Sequence, residues 1–398
     1  MQWFTGSWTS SLAVDTLRRQ ADQHLQPDVW INRLPVESYQ LLTVPAATEL
    51  APYYTDWVAH ETEDAYWKRW KISDSWANMN VTALYGGGWH DIFLKGTLDN
   101  YIGMRKSSGQ REAQRLMIGP WAHAVTSPEG KVGDVTFGKQ AVLDMTAEIL
   151  SWFDYTLKGM PNKFARSARV RLFIMGENRW RDEDEFPLAR TRYTSYYLHA
   201  HSLGVDNPGS EPSETYVYDP ANPVPTLGGR LCCGDKLHPG PADQRPNESR
   251  SDVLIYSTPP LDKDVEVTGW VKLKLFAATS AVDTDFTALL ADVDDTGYAR
   301  FLTDGIVRAR YRNSTAKAEP VTPGQVYEYT IDLWATGNLF RAGHRIRLYV
   351  SSSNFPRFNR NLNTGEPIMG ATRMVSASET IYHDAERPSA LILPVIPR

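Results

Sequence analysis

The spacing of apolar residues changes along the chain, and each change marks a different kind of structure. From about residue 168 the period is two. In "HRIRLYV", Ile346, Leu348 and Val350 alternate with Arg345, Arg347 and Tyr349, which gives one buried face and one wet face. "VRLFIMG", "TSYYLHA", "DVLIYST", "VKLKLFAA", "DFTALLADV" and "YEYTIDLWA" are further short strands between turns of Gly, Pro, Asp and Asn. Residues 168–398 are therefore predicted to be all-β, a sandwich or jelly roll.

Between residues 79 and 160 the pattern reads strand, helix, strand, helix. "VTALYGG" is a short apolar strand, and "IFLKGTLDNYIGMR" puts Phe93, Leu94, Leu98, Tyr101 and Ile102 on one helical face. "QRLMIGPW" is a second buried strand. "GKQAVLDMTAEILSWFDYTLKG" is the clearest helix. Its apolar side holds Val142, Leu143, Ile149, Leu150, Phe153 and Leu157, and Gly159 is placed to cap it. Strands separated by helices imply a parallel sheet. Two strands cannot form such a sheet alone, so this is part of a doubly wound layer. Residues 1–78 read as mainly helical, with Leu12, Val14, Leu17 and Leu25 at helical spacing and Pro27, Pro35 and Pro45 as punctuation. The segment 47–70 is rich in Trp, Tyr and acids. This is a helical layer and not a complete domain. The boundary before the β region falls within 158–169.

Composition narrows the function. The chain has 398 residues, which favours two or more domains. Hydrophobic residues make up 42% and charged residues 22%, enough for a sizeable core. A net charge of −5 with no Lys/Arg stripe argues against nucleic-acid binding. No apolar run reaches membrane-spanning length, so no membrane partner is expected. The start, "MQWFTGSWTS", lacks the features of a signal peptide, and a cytoplasmic protein is expected. Asn80, Asn247 and Asn313 open N-x-S/T triplets that are read as chance matches. The two cysteines, Cys232 and Cys233, are adjacent, and neighbouring cysteines rarely pair.

Candidate chemistry centres on two residues. Asp91 follows the first strand, in "ALYGGGWHDIF", and His123 follows the second, in "LMIGPWAHA". An α/β-hydrolase places nucleophile, acid and base in that order at the C-terminal ends of strands. The carboxylate orients the imidazole, and the imidazole takes a proton from a hydroxyl. By itself His123 would read as a core or surface histidine. Behind the Asp91 strand, the catalytic and structural readings balance. No G-x-S-x-G turn precedes Asp91. The upstream serines are Ser7, Ser10, Ser11, Ser38, Ser73 and Ser75, and none follows a strand suited to an elbow. "HETED" at 60–64 lacks the second histidine of a zinc helix. "DVDDTG" at 292–297 begins like a calcium loop but has Thr303 where the bidentate Glu belongs. No phosphate loop occurs, and neither metal nor cofactor is expected.

Long stretches carry a family resemblance: "GGWHDIFLKGTLDNY", "IGPWAHA", "SWFDYTLKG", "VRLFIMGENRWRDEDEFPLART", "DGIVRARYR" and "FRAGHRIRLYVSSSNFPRFNRNLNTG". The chain resembles the cocaine esterase-like (CocE/NonD) hydrolases, relatives of X-Pro dipeptidyl-peptidases, glutaryl acylases and α-amino acid ester hydrolases. The resemblance implies an α/β plus all-β fold. Residues 1–78 would be a helical cap remnant, 79–160 the C-terminal half of an α/β-hydrolase domain, and 168–398 a β jelly-roll (galactose-binding-like) domain. It also implies a serine hydrolase acting through an acyl-enzyme on a small-molecule ester or amide or a peptide substrate. Asp91 would be the triad acid and His123 the base. Phe93 would lie beside the acyl pocket, and Trp121 near the base, in packing first. The family's early strands, its nucleophile elbow and an oxyanion-donating tyrosine have no counterpart here. The chain is therefore expected to be N-terminally truncated, inactive alone and poorly soluble, because a half-sheet exposes an unpaired edge. The alternative is a non-catalytic binding or interaction protein built on the jelly roll. Homo-oligomer formation and sugar binding stay open.

Overall fold

A computed structural model describes residues 31–36, 53–123, 128–232 and 238–398. The helix expected near residues 12–25 lies outside them. The helical layer is a set of short pieces: α1 (Tyr53–Ala59), α2 (Ala65–Lys68) and a 3-10 turn over Ile72–Asn78. Asp64 caps α2 by accepting from the Tyr66 amide at 2.8 Å. Glu61 ties this layer to the distant β region, accepting from Arg310 at 3.1 Å and from the Ile368 amide. Among the described residues no helix is long and apolar enough to cross a membrane.

Strands β1 (Ala83–His90) and β2 (Gln114–Ala122) pair in parallel, as the strand–helix–strand pattern requires. A small hairpin, β3 (Lys131–Val132) and β4 (Val135–Thr136), follows. Next come β5 (Val170–Ile174) and β6 (Arg179–Glu183), and the sheet order is β1-β2-β5-β6. The "VRLFIMG" strand, expected to open the all-β region, thus joins the parallel sheet. A period of two fixes which face is buried but not which strand lies alongside.

Helix α3 (Leu94–Ser107) buries Leu94, Leu98, Tyr101 and Met104, at helical spacing, whereas Phe93, expected on that face, precedes the helix and is exposed, and Ile102 is only half-buried. Helix α4 (Met145–Lys158) begins where Asp144 accepts from the Ala147 amide and ends at Gly159, whose φ is 67°. Val142 and Leu143 precede it. Its apolar side behaves contrary to expectation. Trp152 packs edge-on to Phe164 and is the buried residue, while Ile149, Leu150, Phe153 and Leu157 are exposed.

The remaining strands form one eleven-stranded network. They are β7 (Arg192–His199), β8 (Ser202–Gly204), β9 (Glu214–Tyr218), β10 (Leu254–Ser257), β11 (Val265–Thr279) and β12 (Asp285–Val293). Then come β13 (Ala299–Arg308), β14 (Tyr327–Phe340), β15 (Arg345–Ser351), β16 (Ala377–Tyr382) and β17 (Ala390–Ile396). The long strand β11 carries β14 on one edge and β17, then β16, on the other. In β15, Ile346, Leu348 and Val350 are fully buried, as the alternation predicts, but the other face is not wet throughout, since Tyr349 is buried and packs with Val253 and Val293. Cys232 is disulfide-bonded, against the expectation for adjacent cysteines.

One aromatic residue locks the two sheets together. Trp89 of β1 is fully buried and donates its indole N–H to the Phe173 carbonyl at 2.7 Å. Gly337 of β14 makes room, since a Cβ there would lie 2.7 Å from the Trp89 ring. On either side of Asn338, the Met175 amide bonds to the Gly337 carbonyl and the Leu339 amide to the Met175 carbonyl.

Inside the β domain, fully buried Glu379 accepts from Thr279 at 3.1 Å and Thr284 at 2.8 Å. Burial, reinforced by Asp285 and Asp283, pushes its carboxyl up to about 8. The unfolded chain would ionise it near 4.5. Between these values the folded state holds a proton that the unfolded state has lost, so stability falls as pH rises through the window. The melting temperature is expected to decline from pH 5 to pH 8.5. Glu379→Gln should flatten that decline and melt at least about 2 °C higher at pH 8.5. Parallel pH profiles of the two proteins would contradict this.

Candidate functional site

Parallel pairing places the two expected residues opposite each other. Gly87 pairs with Ile118, Gly88 with Gly119, and after a register shift His90 pairs with Ala122. Asp91 and His123 are the next residues on their strands. His123 Nδ1 lies 3.2 Å from Asp91 Oδ1. The same oxygen accepts from the Phe93 amide at 2.8 Å, and the Asp91 amide donates to the Gly88 carbonyl at 3.0 Å. The carboxylate is thus held in a tight turn just before the N-terminus of α3. The Asp91 side chain is 15% exposed and that of His123 is 35% exposed. The carboxylate is therefore sheltered, while the imidazole faces outward. With the Nδ1 proton directed at Asp91, Nε2 is left to take a proton from a reacting hydroxyl.

Glycine is required at two points here. A Cβ on Gly88 would lie 2.0 Å from the Trp121 carbonyl oxygen, and one on Gly119 would lie 2.5 Å from the Trp121 ring. The strand ends can approach only without a side chain at 88, and Gly119 leaves room for the Trp121 ring on its own strand.

The two aromatic candidates differ. Phe93 stands edge-on to the His123 ring, 5.1 Å between centroids, and is 50% exposed. It presents apolar surface beside the imidazole. Trp121 donates its indole N–H to the Ala141 carbonyl at 2.7 Å and tilts against Trp180 at 5.6 Å. That arrangement holds it in packing.

Sequence reasoning missed the bracing behind β1. His90 is fully buried, and among the described residues neither ring nitrogen has a hydrogen-bond partner. Burial, with Arg230 and Arg300 nearby, lowers its pKa to about 3, so it stays neutral. Its ring lies 5.8 Å from Phe301 of β13. Arg230 is fully buried, pairs with Asp304 at 3.0 Å and sits 4.5 Å over the Trp334 ring. Lys95, in the first turn of α3, pairs with Asp332 at 3.3 Å. All of these partners come from the β domain, far along the chain, and no local pattern signals them.

Other sequence candidates are not assembled into a site. Ser7, Ser10, Ser11 and Ser38 lie outside the described residues. Ser73 and Ser75 belong to the 3-10 turn over Ile72–Asn78, which packs on α3 through Trp76 and Asn100 at 2.9 Å. In "HETED", His60 pairs with Asp64 at 2.5 Å. Among the described residues no group of His, Cys, Asp or Glu is arranged to hold a metal ion.

Comparison with known proteins gives two family matches. Residues 162–392 match the X-Pro dipeptidyl-peptidase C-terminal non-catalytic domain, and residues 2–125 match X-Pro dipeptidyl-peptidase (S15 family). The chain is 40% identical over 372 residues to cocaine esterase from Rhodococcus sp. strain MB1 Bresler, covering 89% of this chain and 63% of that protein. Among solved structures, an aminopeptidase from a marine-sediment Thaumarchaeota archaeon superposes with a TM-score of 0.82 at 27% identity. That match covers 93% of this chain and 64% of the other. An α-amino acid ester hydrolase matches with a TM-score of 0.77 at 27% identity, over 88% and 61%. The chain thus spans less than two thirds of the length of each.

The glycine contacts give a paired test. Gly88→Ala should cost at least ~2 kcal/mol, because backbone must move to clear the Trp121 carbonyl. Gly87→Ala, whose Cβ would meet nothing closer than 3.6 Å, should melt close to the native protein. Equal melting temperatures for the two variants would refute the close approach.

Proposed function

The chain belongs to the X-Pro dipeptidyl-peptidase family, in its cocaine esterase-like branch, and on that premise we propose that it supplies the acid and base of a serine hydrolase that cleaves ester or amide bonds. Asp91 orients His123 and stabilises its charged form. His123 Nε2 takes the proton of a serine hydroxyl as the oxygen attacks the substrate carbonyl. The imidazolium then returns that proton to the leaving group, and an acyl-enzyme remains. Water, deprotonated by the same imidazole, releases the acid. Phe93 offers the apolar wall for the acyl group. The observation that carries this reading is the 3.2 Å contact between Asp91 and His123 at the ends of adjacent parallel strands. The serine is proposed to lie outside these 398 residues, which hold no G-x-S-x-G turn, so the chain alone is inactive.

One observation favours a second reading. The family matched by residues 162–392 is described as non-catalytic, which fits a binding or interaction protein. A chimera separates the two. The part of the Rhodococcus relative that this chain does not match is joined to the full chain, and hydrolysis of a p-nitrophenyl ester is measured. The chimera should turn over. Asp91→Asn should lower kcat by ~10⁴-fold and His123→Ala by at least ~10³-fold. The chain alone should show no turnover above the His123→Ala background. Turnover indifferent to both residues, or ester hydrolysis by the chain alone that survives His123→Ala, would overturn the assignment.

A further inference from the structure

One end of the β domain gathers three histidines and two glutamates that the proposed hydrolysis does not use. His383, just after β16, is fully buried. Its Nε2 lies 3.2 Å from Glu214 Oε2, and its Nδ1 lies 3.6 Å from Glu211 Oε2. Each carboxylate also meets a second histidine. Glu211 meets His199 Nδ1 at 2.6 Å and accepts from the Ala200 amide at 3.1 Å. Glu214 meets His201 Nδ1 at 2.9 Å. The Tyr256 ring of β10 stands edge-on to His383 at 6.3 Å, and its hydroxyl faces Glu214. Asp384, the next residue along the chain, is turned to Arg387 at 2.5 Å and takes no part.

These side chains come from segments far apart in sequence. His199 ends β7, His201 lies in the turn before β8, and Glu211 lies in the loop over residues 205–213. Glu214 opens β9, and His383 lies between β16 and β17. Among the described residues β9 is a sheet edge whose strand partner is β16. The 205–213 loop belongs to no strand, and the Ala385 amide donates to its Gly209 carbonyl at 2.9 Å. The cluster therefore sits where a loop and an edge strand need fastening to the sheet.

A neutral imidazole carries one N–H and one lone pair, so it can serve one of two carboxylates and repels the other. An imidazolium attracts both. Neither contact of His383 is aligned as a hydrogen bond, so charge holds the three groups together, and that charge exists only while the ring is protonated. Burial opposes the charge, yet Glu214 and Glu211 outweigh it and raise the His383 pKa above its ordinary 6.5. Burial also opposes ionisation of the two glutamates, yet both are held below their ordinary 4.5, Glu211 chiefly by His199 and Glu214 chiefly by His383. We propose that His383, Glu211 and Glu214 form a proton-operated latch, which fastens the 205–213 loop and the start of β9 to the segment after β16 while the ring is charged and frees them when it is neutral. A group whose pKa is raised on folding stabilises fully below its unfolded value and stops doing so as pH rises through its folded value. The latch is therefore closed below pH 6.5 and opens above the His383 midpoint.

Hydrogen exchange of the full chain, corrected for the intrinsic pH dependence of the rates, tests this. Protection of residues 205–218 should fall at least ~10-fold from pH 5.5 to pH 8.5. Glu379 weakens the whole β domain over the same range, so the comparison is made in the Glu379→Gln protein. There β15 should keep its protection while 205–218 still lose theirs. His383→Gln has no ring to charge and should leave 205–218 weakly protected at both pH values. If that variant does not fold, nuclear magnetic resonance of the imidazole in the native chain gives the second readout. His383 should titrate above 6.5, and Glu211→Gln should bring its midpoint down. The proposal falls if 205–218 are equally protected at both pH values, if their loss disappears in Glu379→Gln, or if His383→Gln keeps the native pH profile. It also falls if His383 titrates at or below 6.5, or if Glu211→Gln leaves its midpoint in place.

Discussion

The site depends on how closely β1 and β2 approach at their C-terminal ends. Gly88 leaves no room there for a side chain, so its backbone meets the Trp121 carbonyl of the other strand, while Gly119 makes room for the Trp121 ring two residues along its own strand. The register shift that follows brings Asp91 level with His123. Backbone pairing therefore brings the Asp91 carboxylate and the His123 imidazole together, and the hydrogen bonds of the Asp91 turn refine the distance. Trp89, one residue before His90, fixes the same strand end to β5 and to the face of β14 at Gly337. The strand end is therefore fixed from both directions.

The β domain contributes more than bulk. Its buried Arg230–Asp304 pair and Phe301 stand behind His90, and Asp332 holds Lys95 at the start of α3. Removing one partner of a buried pair leaves an uncompensated charge, which costs far more than the pair contributes. The contact between the domains is specific in register because Met175 exchanges backbone hydrogen bonds with Gly337 and Leu339. A rigid backing of this kind suits a site in which two side chains must keep a fixed orientation.

Much of this was legible in the sequence. Parallel pairing of the two apolar strands, Leu94, Leu98 and Tyr101 on the buried face of α3, the Gly159 cap and the buried face of β15 follow from local spacing, while Phe93 and Tyr349 depart from it. Asp91 and His123 stood out because each follows a strand. Three features were hidden for physical reasons. Strand β5 has the same alternation as its neighbours in sequence, yet it pairs with β2, since strand partners are a tertiary matter. The stripe on α4 looked like a core face, and periodicity cannot say whether anything lies against it. The bracing of His90 by Arg230 and Phe301 joins residues far apart in sequence, and no spacing rule reaches that distance.

The central claim is that Asp91 orients His123 with its proton on Nδ1, and nuclear magnetic resonance of the imidazole tests it most directly. In the full chain, labelled with ¹⁵N, His123 should show a downfield Nδ1–H proton that is slow to exchange, and Asp91→Asn should abolish or shift it. A His123 ring that carries its proton on Nε2, or one whose signals are the same in the Asp91→Asn protein, would contradict the account.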